Sequence, residues 1–598
     1  PLLGSLLALP AAAATFTVTS TNDSGAGSLR QAILDANGNA GADQINFNIA
    51  GAGPHLIQPT TPLPTITDEV DILATTQPGY AGTPLIQLDG ALAGAAASGF
   101  DVEATGVGIE GFSITNFDNI GIITDGTNGD VMGNYIGLAP DGTTAAGNGS
   151  YGVYCDANCV NLSVGSPIGF DRNVLSDNGQ SGVGANSTEQ ITISSNYIGT
   201  DATGTLDRGN AFYGILINQV SQAMIGGAMA EFGNVISGNN AGAISTGGNV
   251  GINNQILNNL IGTAVDGTSP LPNGDGILVG SPQTTIGSSV GTGNTIAFNN
   301  GAAIRVSSVV PSNSTRIRFN SIHSNNGLGI DLAIDGVTPN DPDDADISNA
   351  NNLQNYPVLT GANWNAGSVA ITGTLNSEPN GTYRIDFYYN TACDPSGFGE
   401  GLDWIGEILV NTDPSGDAAV VANLAVPSSI GTITATATND STNETSEFSE
   451  CEAIVNPLAG TFAFSSPTHN VSEGNGFATI TVNRTGGSSG PASVNYTTAP
   501  GTATTPADYA TTAGTLNWAD GDATPKTFDV PIVDDALVEG NETFTVQLSG
   551  ATGGTIGSPA TATVTISDND SAAAVPTASQ WALMAITLLL AAVALRRL

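Results

Sequence analysis

Carboxylates are the chemically capable groups this chain holds in greatest number. Fifty-three Asp and Glu face 11 Lys and Arg and 3 His, a formal net charge of -42 at pH 7. Such a surface repels phosphate backbones, so it argues against nucleic-acid binding and favours a divalent cation as partner. One dense acidic group is Asp335, Asn340, Asp341, Asp343, Asp344 and Asp346. Alternation of Asp with Gly, Asn and Pro suits a turn that wraps a cation, but the spacing is not that of an EF-hand loop. A calcium-stapled cap and a solvated acidic loop both fit it. For catalysis the sequence offers one grouping, Arg305, Arg316, Arg318, His323 and Asp331. His55 and His469 have no Cys or His companions at zinc spacing. No Gly-rich phosphate loop precedes a helix, the Gly-x-Ser-x-Gly runs at 287–291 and 486–490 open no helical pattern as a nucleophile elbow does, and no residue is assigned as catalytic. The four cysteines fall as two local candidates for structural disulfides, Cys155 with Cys159 and Cys393 with Cys451.

The elements that must position these groups are strands. A chain of 598 residues is too long for one core and implies two to four domains. Its 77 glycines punctuate segments rich in Thr, Val, Ile and Asn, and long amphipathic helical windows are nearly absent. An apolar fraction of 40% suffices for packed cores. The first half is governed by a repeat, Asn-x-Ile-[Gly/Ser] or a near variant, starting at Asn134, Asn173, Asn196, Asn234, Asn259, Asn294 and Asn320. Short steps alternate with long ones, and the short step is the length of one parallel β-helix coil of three brief strands. Each long step reads as the same coil carrying an extra loop, at 138–148, 200–210 and 263–273. Stacked coils align the asparagines into a ladder whose amides bond from coil to coil, a structural role. Coils with the same alternation but no Asn begin near Ile66, and 327–359 reads as the exit from the helix. Residues 360–456 then change to strands at β-sandwich spacing.

Three segments resemble known families. Residues 15–49, with Gly27-Ser28-Leu29-Arg30, Ala32-Ile33, Ala36-Asn37 and Asp43 to Phe47, resemble the CSLREA-type opening segment of secreted bacterial β-helix proteins. Physically, Ser28 to Asn37 is a short amphipathic helix between two strands that would cap the solenoid's open end. Residues 460–570 resemble a Calx-beta domain, a seven-stranded immunoglobulin-like sandwich, through Val471-Ser472-Glu473-Gly474, Gly501-Thr502-Ala503, Asp508-Tyr509, Gly514-Thr515-Leu516, Val533-Asp534-Asp535, Glu539 to Phe544 and Val564 to Asp570. At the C-terminus, Val575-Pro576-Thr577, Trp581, an apolar run to Leu595 and Arg596-Arg597 resemble the IPTL-type sorting signal of Gram-negative surface proteins, which implies cleavage by a sorting transpeptidase. That apolar run rises about 22 Å as a helix, short of the ~30 Å hydrocarbon core, so it implies transient membrane anchoring. Residues 2–14 look like a signal-peptide core and cleavage site.

The Calx-beta resemblance implies a calcium site built from Glu473, Asp508, Asp534, Asp535, Glu539, Glu542, Asp568 and Asp570, with Asn569 standing where calcium-sensing relatives carry a further Asp. The expected chain is therefore all-β: signal remnant 1–14, cap 15–60, right-handed parallel β-helix of the pectate-lyase-like solenoid type 61–350, β-sandwich 351–456, Calx-beta domain 460–570 and sorting signal 571–598. The functional expectation is a non-catalytic, exported cell-surface protein of a Gram-negative bacterium. It would be an adhesin or display protein that presents its helix flank to a glycan or protein partner, with calcium stiffening the C-terminal module. The alternative is a carbohydrate-active enzyme working in the β-helix groove.

Overall fold

A computed structural model describes residues 13–166, 172–249, 251–308, 314–346, 349–365, 367–456, 459–572 and 578–596. The chain divides into two units, one ending at Ile454 and one beginning at Val455.

In the first unit, short strands are stacked into three parallel sheets of 11, 10 and 9 strands, and from Val70–Leu73 onward successive strands of the solenoid visit the three sheets in turn. One coil shows the rule: Thr192–Ile193 lies in the first sheet, Tyr197–Ile198 in the second and Tyr213–Asn218 in the third, after which Met224–Gly226 returns to the first. The strands contribute buried, mostly β-branched side chains to interior columns. In the first sheet Ile72, Ile109, Val131, Val164 and Ile193 are paired in register and all are buried. Each such side chain stabilises the stack by roughly 1.5–3 kcal/mol. The first sheet starts at Thr15–Val18, which pairs in parallel with Asp43–Phe47, so the N-terminal segment supplies solenoid strands as well as a cap. Helix α1, Leu29–Asn37, connects them; Ser28 caps it by accepting the Gln31 N–H, and Leu29, Ala32, Ile33 and Ala36 are buried.

The repeated asparagines form an axial row. From Asn134 through Asn173, Asn196, Asn234, Asn259 and Asn294 to Asn320, each Nδ2 donates to the next Oδ1 at 3.2, 2.9, 3.0, 2.8, 2.9 and 2.9 Å. The same oxygens accept main-chain N–H groups, as Asn234 Oδ1 does from Asn196, while Asn196 Nδ2 also reaches the Val164 carbonyl. A second row, not anticipated from sequence, runs through Asn148, Asn178, Asn210, Asn239, Asn273, Asn299 and Asn325 at the turn between the second and third sheets. The three extra loops fold back on themselves through antiparallel bridges Leu138 to Ala145, Thr200 to Asp207 and Thr263 to Pro270. They also bond one another across the intervening coil, Ala202 N to Gly142 O and Val265 N to Gly204 O.

Residues 358–455 form a seven-stranded sheet that bends over a core including Ile371, Tyr383, Ile385, Phe387, Val420 and Ile433. It closes the solenoid's open end sheet by sheet. Thr445 Oγ1 accepts from Ile317 N at the first sheet. Gly401 exchanges two main-chain bonds with Ile322 at the second. Glu447 Oε1 accepts from Leu332 N at the third. The second asparagine row ends on Glu400, whose Oε1 accepts from Asn325 Nδ2 at 2.7 Å. Both expected disulfides, Cys155–Cys159 and Cys393–Cys451, are formed.

In the second unit, four- and five-stranded sheets pack over Phe462, Tyr509, Trp518 and Phe544. Nine strand segments appear where seven strands were expected. Thr461–Phe464 and Thr468–Ser472 belong to different sheets and flank Pro467, and Thr555–Ile556 and Thr561–Ser567 flank Pro559. Proline cannot donate to a ladder and breaks it where the chain changes sheet. Helix α2, Ala578–Ala594, is exposed, and among the described residues no helix is long and apolar enough to cross a membrane. The expected signal core, apart from its last residues, and Val575-Pro576-Thr577 lie outside the described residues.

Candidate metal centre

Strand ends of the second unit bring its carboxylates to one pole. Glu473 follows Thr468–Ser472 in a single helical turn and is buried. Asp508 sits in the loop between Ala492–Pro500 and Ala513–Trp518, and Asp534, Asp535 and Glu539 in the loop after Lys526–Pro531. Glu542 opens the strand Glu542–Thr552, and Asp568 and Asp570 leave Thr561–Ser567. Glu473, Asp568 and Asp570 each place a carboxylate oxygen within 4.8 Å of the others, and Asp508, Glu539 and Glu542 do the same. The second triad, with Glu473 and Asp568 of the first and with Asp535, lines a cavity of about 10 Å³. That volume holds a single ion or water and excludes an organic ligand.

Charge repulsion at this pole is only partly relieved. Asp508 Oδ2 accepts from Thr504 N at 2.6 Å, and Asp568 Oδ2 from Glu539 N at 2.6 Å. Asp570 Oδ2 is buried without a hydrogen-bond partner. The Asn569 N–H pulls the Glu473 carboxyl down, but burial together with Asp568, Asp570 and Asp535 outweighs it and holds the group above its ordinary range. Burial, then Asp535, Asp508 and Asp568, push Glu539 up, and burial followed by Asp508 and Glu539 does the same to Glu542. Acceptor-only groups crowded in this way, one of them orphaned, match the oxygen set a hard divalent cation requires. The donor set therefore fits calcium. Asp534 stands apart: its Oδ1 accepts from Asn569 Nδ2 at 3.0 Å, so the Asn at 569 ties down a carboxylate instead of adding one.

The other chemically capable groups are spent elsewhere. In the 335–346 segment Asp344 is buried, accepts from Asn355 N and Ser377 Oγ, and is pushed up to about 7 by burial. Asn340 pairs with Tyr356 main chain, and Asp341 accepts from Ala345 N. This segment is strapped by hydrogen bonds onto the sandwich, with Asp344 buried and Asp335 and Asp343 exposed. The Arg and His grouping is spread over three sheets: Arg305 and Asp331 on the third, Arg316 and Arg318 by the first, His323 on the second. Arg318 is buried and gripped by Asp386, at 2.5 and 2.8 Å, and by Glu407. Sequence reasoning missed the buried acceptors Glu400 and Glu447, both pushed up to about 7 by burial. Their only signal is an acidic residue inside a Gly-rich turn for Glu400 and a Ser- and Thr-rich one for Glu447.

A β-sandwich with strand-end loops converging on an acidic pole defines the class of the second unit. Residues 458–570 match the Calx-beta domain family, to which this part of the chain belongs. The Calx CBD1 domain in its apo form is 32% identical, covering 18% of this chain and 97% of that one, with a TM-score of 0.18. The calcium binding domain CBD12 of CALX1.1 is also 32% identical, covering 19% of this chain and 47% of that one, with a TM-score of 0.18. The enzymatically active domain of bacteriophage CBA120 tailspike protein 2 is 11% identical over 87% of this chain and 80% of its own, with a TM-score of 0.23. No curated protein matches the chain.

Proposed function

We propose that this chain is an exported, non-catalytic surface protein in which a rigid solenoid presents a binding flank and the Calx-beta module is stabilised by calcium. The observation that carries the calcium reading is the orphaned Asp570 Oδ2 beside Glu473 and Asp568, at a pole with no basic side chain among its lining residues. Glu473, Asp508, Asp535, Glu539, Glu542, Asp568 and Asp570 would hold the ion. Bound calcium would supply charge neutralisation and no reaction. Two disulfides and no free cysteine support an oxidising, extracytoplasmic setting. The apolar surface of α2 supports a transient membrane hold before a sorting transpeptidase cuts near Val575-Pro576-Thr577 and leaves the protein on a Gram-negative surface. A polysaccharide-acting enzyme is the weaker reading, because Arg318 is enclosed by Asp386 and Glu407 and cannot meet a substrate.

Calorimetric titration of the full chain with calcium chloride tests the metal reading. Saturable binding in the wild type, lost in Asp508→Asn and Asp568→Asn, is expected; no heat in the wild type contradicts it. Protease shaving of intact cells expressing the chain tests the surface reading, with cleavage of the solenoid unit expected and full protection contradicting it.

A further inference from the structure

On the third sheet of the solenoid, Tyr154, Gly184, Leu216, Ser245 and Leu278 follow one another in register from rung to rung. Their strand neighbours, such as Val153, Cys155, Ile215 and Ile217, are buried, so alternation turns this column to the outside. Tyr151 lies beside Tyr154 with ring centroids 4.8 Å apart. Two rungs on, Phe212 and Tyr213 form a second ring pair at 4.7 Å, and Phe212 is 44% exposed. Glycine is required beneath these rings. A Cβ on Gly184 would meet the Tyr151 ring at 2.7 Å and the Tyr154 ring at 2.8 Å, and one on Gly242 would meet the Tyr213 ring at 2.8 Å. The Tyr151, Tyr154 and Tyr213 rings thus lie over bare backbone, while Phe212 stands edge-on to Tyr213 at 77°. Two rungs at the ~4.8 Å strand spacing set the pairs about 10 Å apart along the axis.

The column ends on an ion-paired polar group in which carboxylates outnumber the guanidinium. Arg305 and Asp331 are the next two register positions, and Arg305 Nη1 bonds Asp275 Oδ2 at 2.5 Å while its Nε lies 3.7 Å from Asp331 Oδ2. With two carboxylates against one guanidinium, the group offers donors and acceptors without net positive charge. In a chain of net charge -42 this disfavours uronate or sulfated polymers. Recumbent aromatic rings suit the C–H faces of pyranoses, and alternating N–H donors and carboxylate acceptors suit their hydroxyls.

We propose that this face binds a neutral hexose polysaccharide laid along the solenoid axis, with Tyr151, Tyr154 and Tyr213 as stacking platforms, Phe212 flanking the last of them, and Asp275, Arg305 and Asp331 as the hydroxyl-binding end. The proposal rests on the reading of the solenoid as a binding flank and gives that flank a ligand class and a place. Native affinity electrophoresis of the full chain in gels cast with laminarin, galactomannan, hydroxyethylcellulose or polygalacturonate tests it. Expected are retardation in at least one neutral gel, none in polygalacturonate, and about a tenfold or greater loss of affinity in Tyr154→Ala/Tyr213→Ala at unchanged melting temperature. No retardation in any neutral gel overturns the proposal, as does retardation that survives the double variant. A change of oligomeric state in the double variant by light scattering also overturns it, since the rings then face a second copy. Adhesion of the full chain to whole cells that the double variant retains sinks the glycan row but leaves the surface-binding reading standing; absence of adhesion in the wild type sinks that reading.

Discussion

The solenoid buries its polar side chains and the Calx-beta pole crowds its own at a surface where only Glu473 is buried, and the two settle the cost in opposite ways. In the solenoid each Asn is at once donor and acceptor, so Asn196 donates to Asn234 and Val164 while accepting from Asn173, and the row closes on itself. At the pole the clustered groups are carboxylates that can only accept, and Asp570 Oδ2 is left over. A buried polar row that satisfies itself is architecture. One that cannot do so asks for something from outside.

Breaking the self-satisfied row has the largest expected effect. Asn196→Leu removes the acceptor of Asn173 Nδ2 and of its main-chain N–H and the donor to Val164 O, each costing about 1–3 kcal/mol. The melting transition of the solenoid unit falls by many degrees or is lost; a drop no larger than that of a surface substitution would erase the contrast. Next comes the cation. At a hundredfold excess over its dissociation constant, calcium stabilises the Calx-beta transition by about 2.7 kcal/mol, and Asp568→Asn abolishes the difference between calcium and chelator. In chelator the same substitution leaves stability unchanged or raises it by up to ~1 kcal/mol, because a repelling charge is removed; a large loss would make Asp568 structural.

The smallest effect is that of pH on the solenoid's closed end. Glu400 and Glu447 have folded values raised from 4.5 to about 7, and Asp344 from 3.8 to about 7. Folding thus binds protons there. The stabilisation is complete below about pH 4 and is lost as pH rises through about 7. The melting temperature of the solenoid unit falls by a few degrees between pH 5 and 8, and Glu447→Gln flattens that slope; a rise over the same range would contradict the assignment. At the pole the raised Glu473, Glu539 and Glu542 give the same sign in chelator, and calcium reverses it, since bound cation needs the ionised forms.

Periodicity made the solenoid legible: Asn134 to Asn320 recur because one coil repeats, and each long step carries a loop. The second row was legible in principle and was overlooked. Asn178, Asn239 and Asn299 follow their first-row partners by five residues, while Asn148, Asn210 and Asn273 follow theirs by fourteen, the offset having absorbed the inserted loop. Glu400 and Glu447 left no such mark, because their role is fixed by where the sandwich docks on the last coil, a contact between residues more than 70 positions apart. At the pole, the order of Calx-beta segments named the carboxylates. The diversion of Asp534 to Asn569 depends on side-chain direction, which no spacing encodes.

Differential scanning calorimetry of the full chain, run in calcium and then in chelator at pH 7.5, probes the contrast most directly. The account predicts that the Calx-beta transition moves up by several degrees in calcium while the solenoid transition stays where it was. Equal shifts of both transitions, or no shift of either, would contradict it.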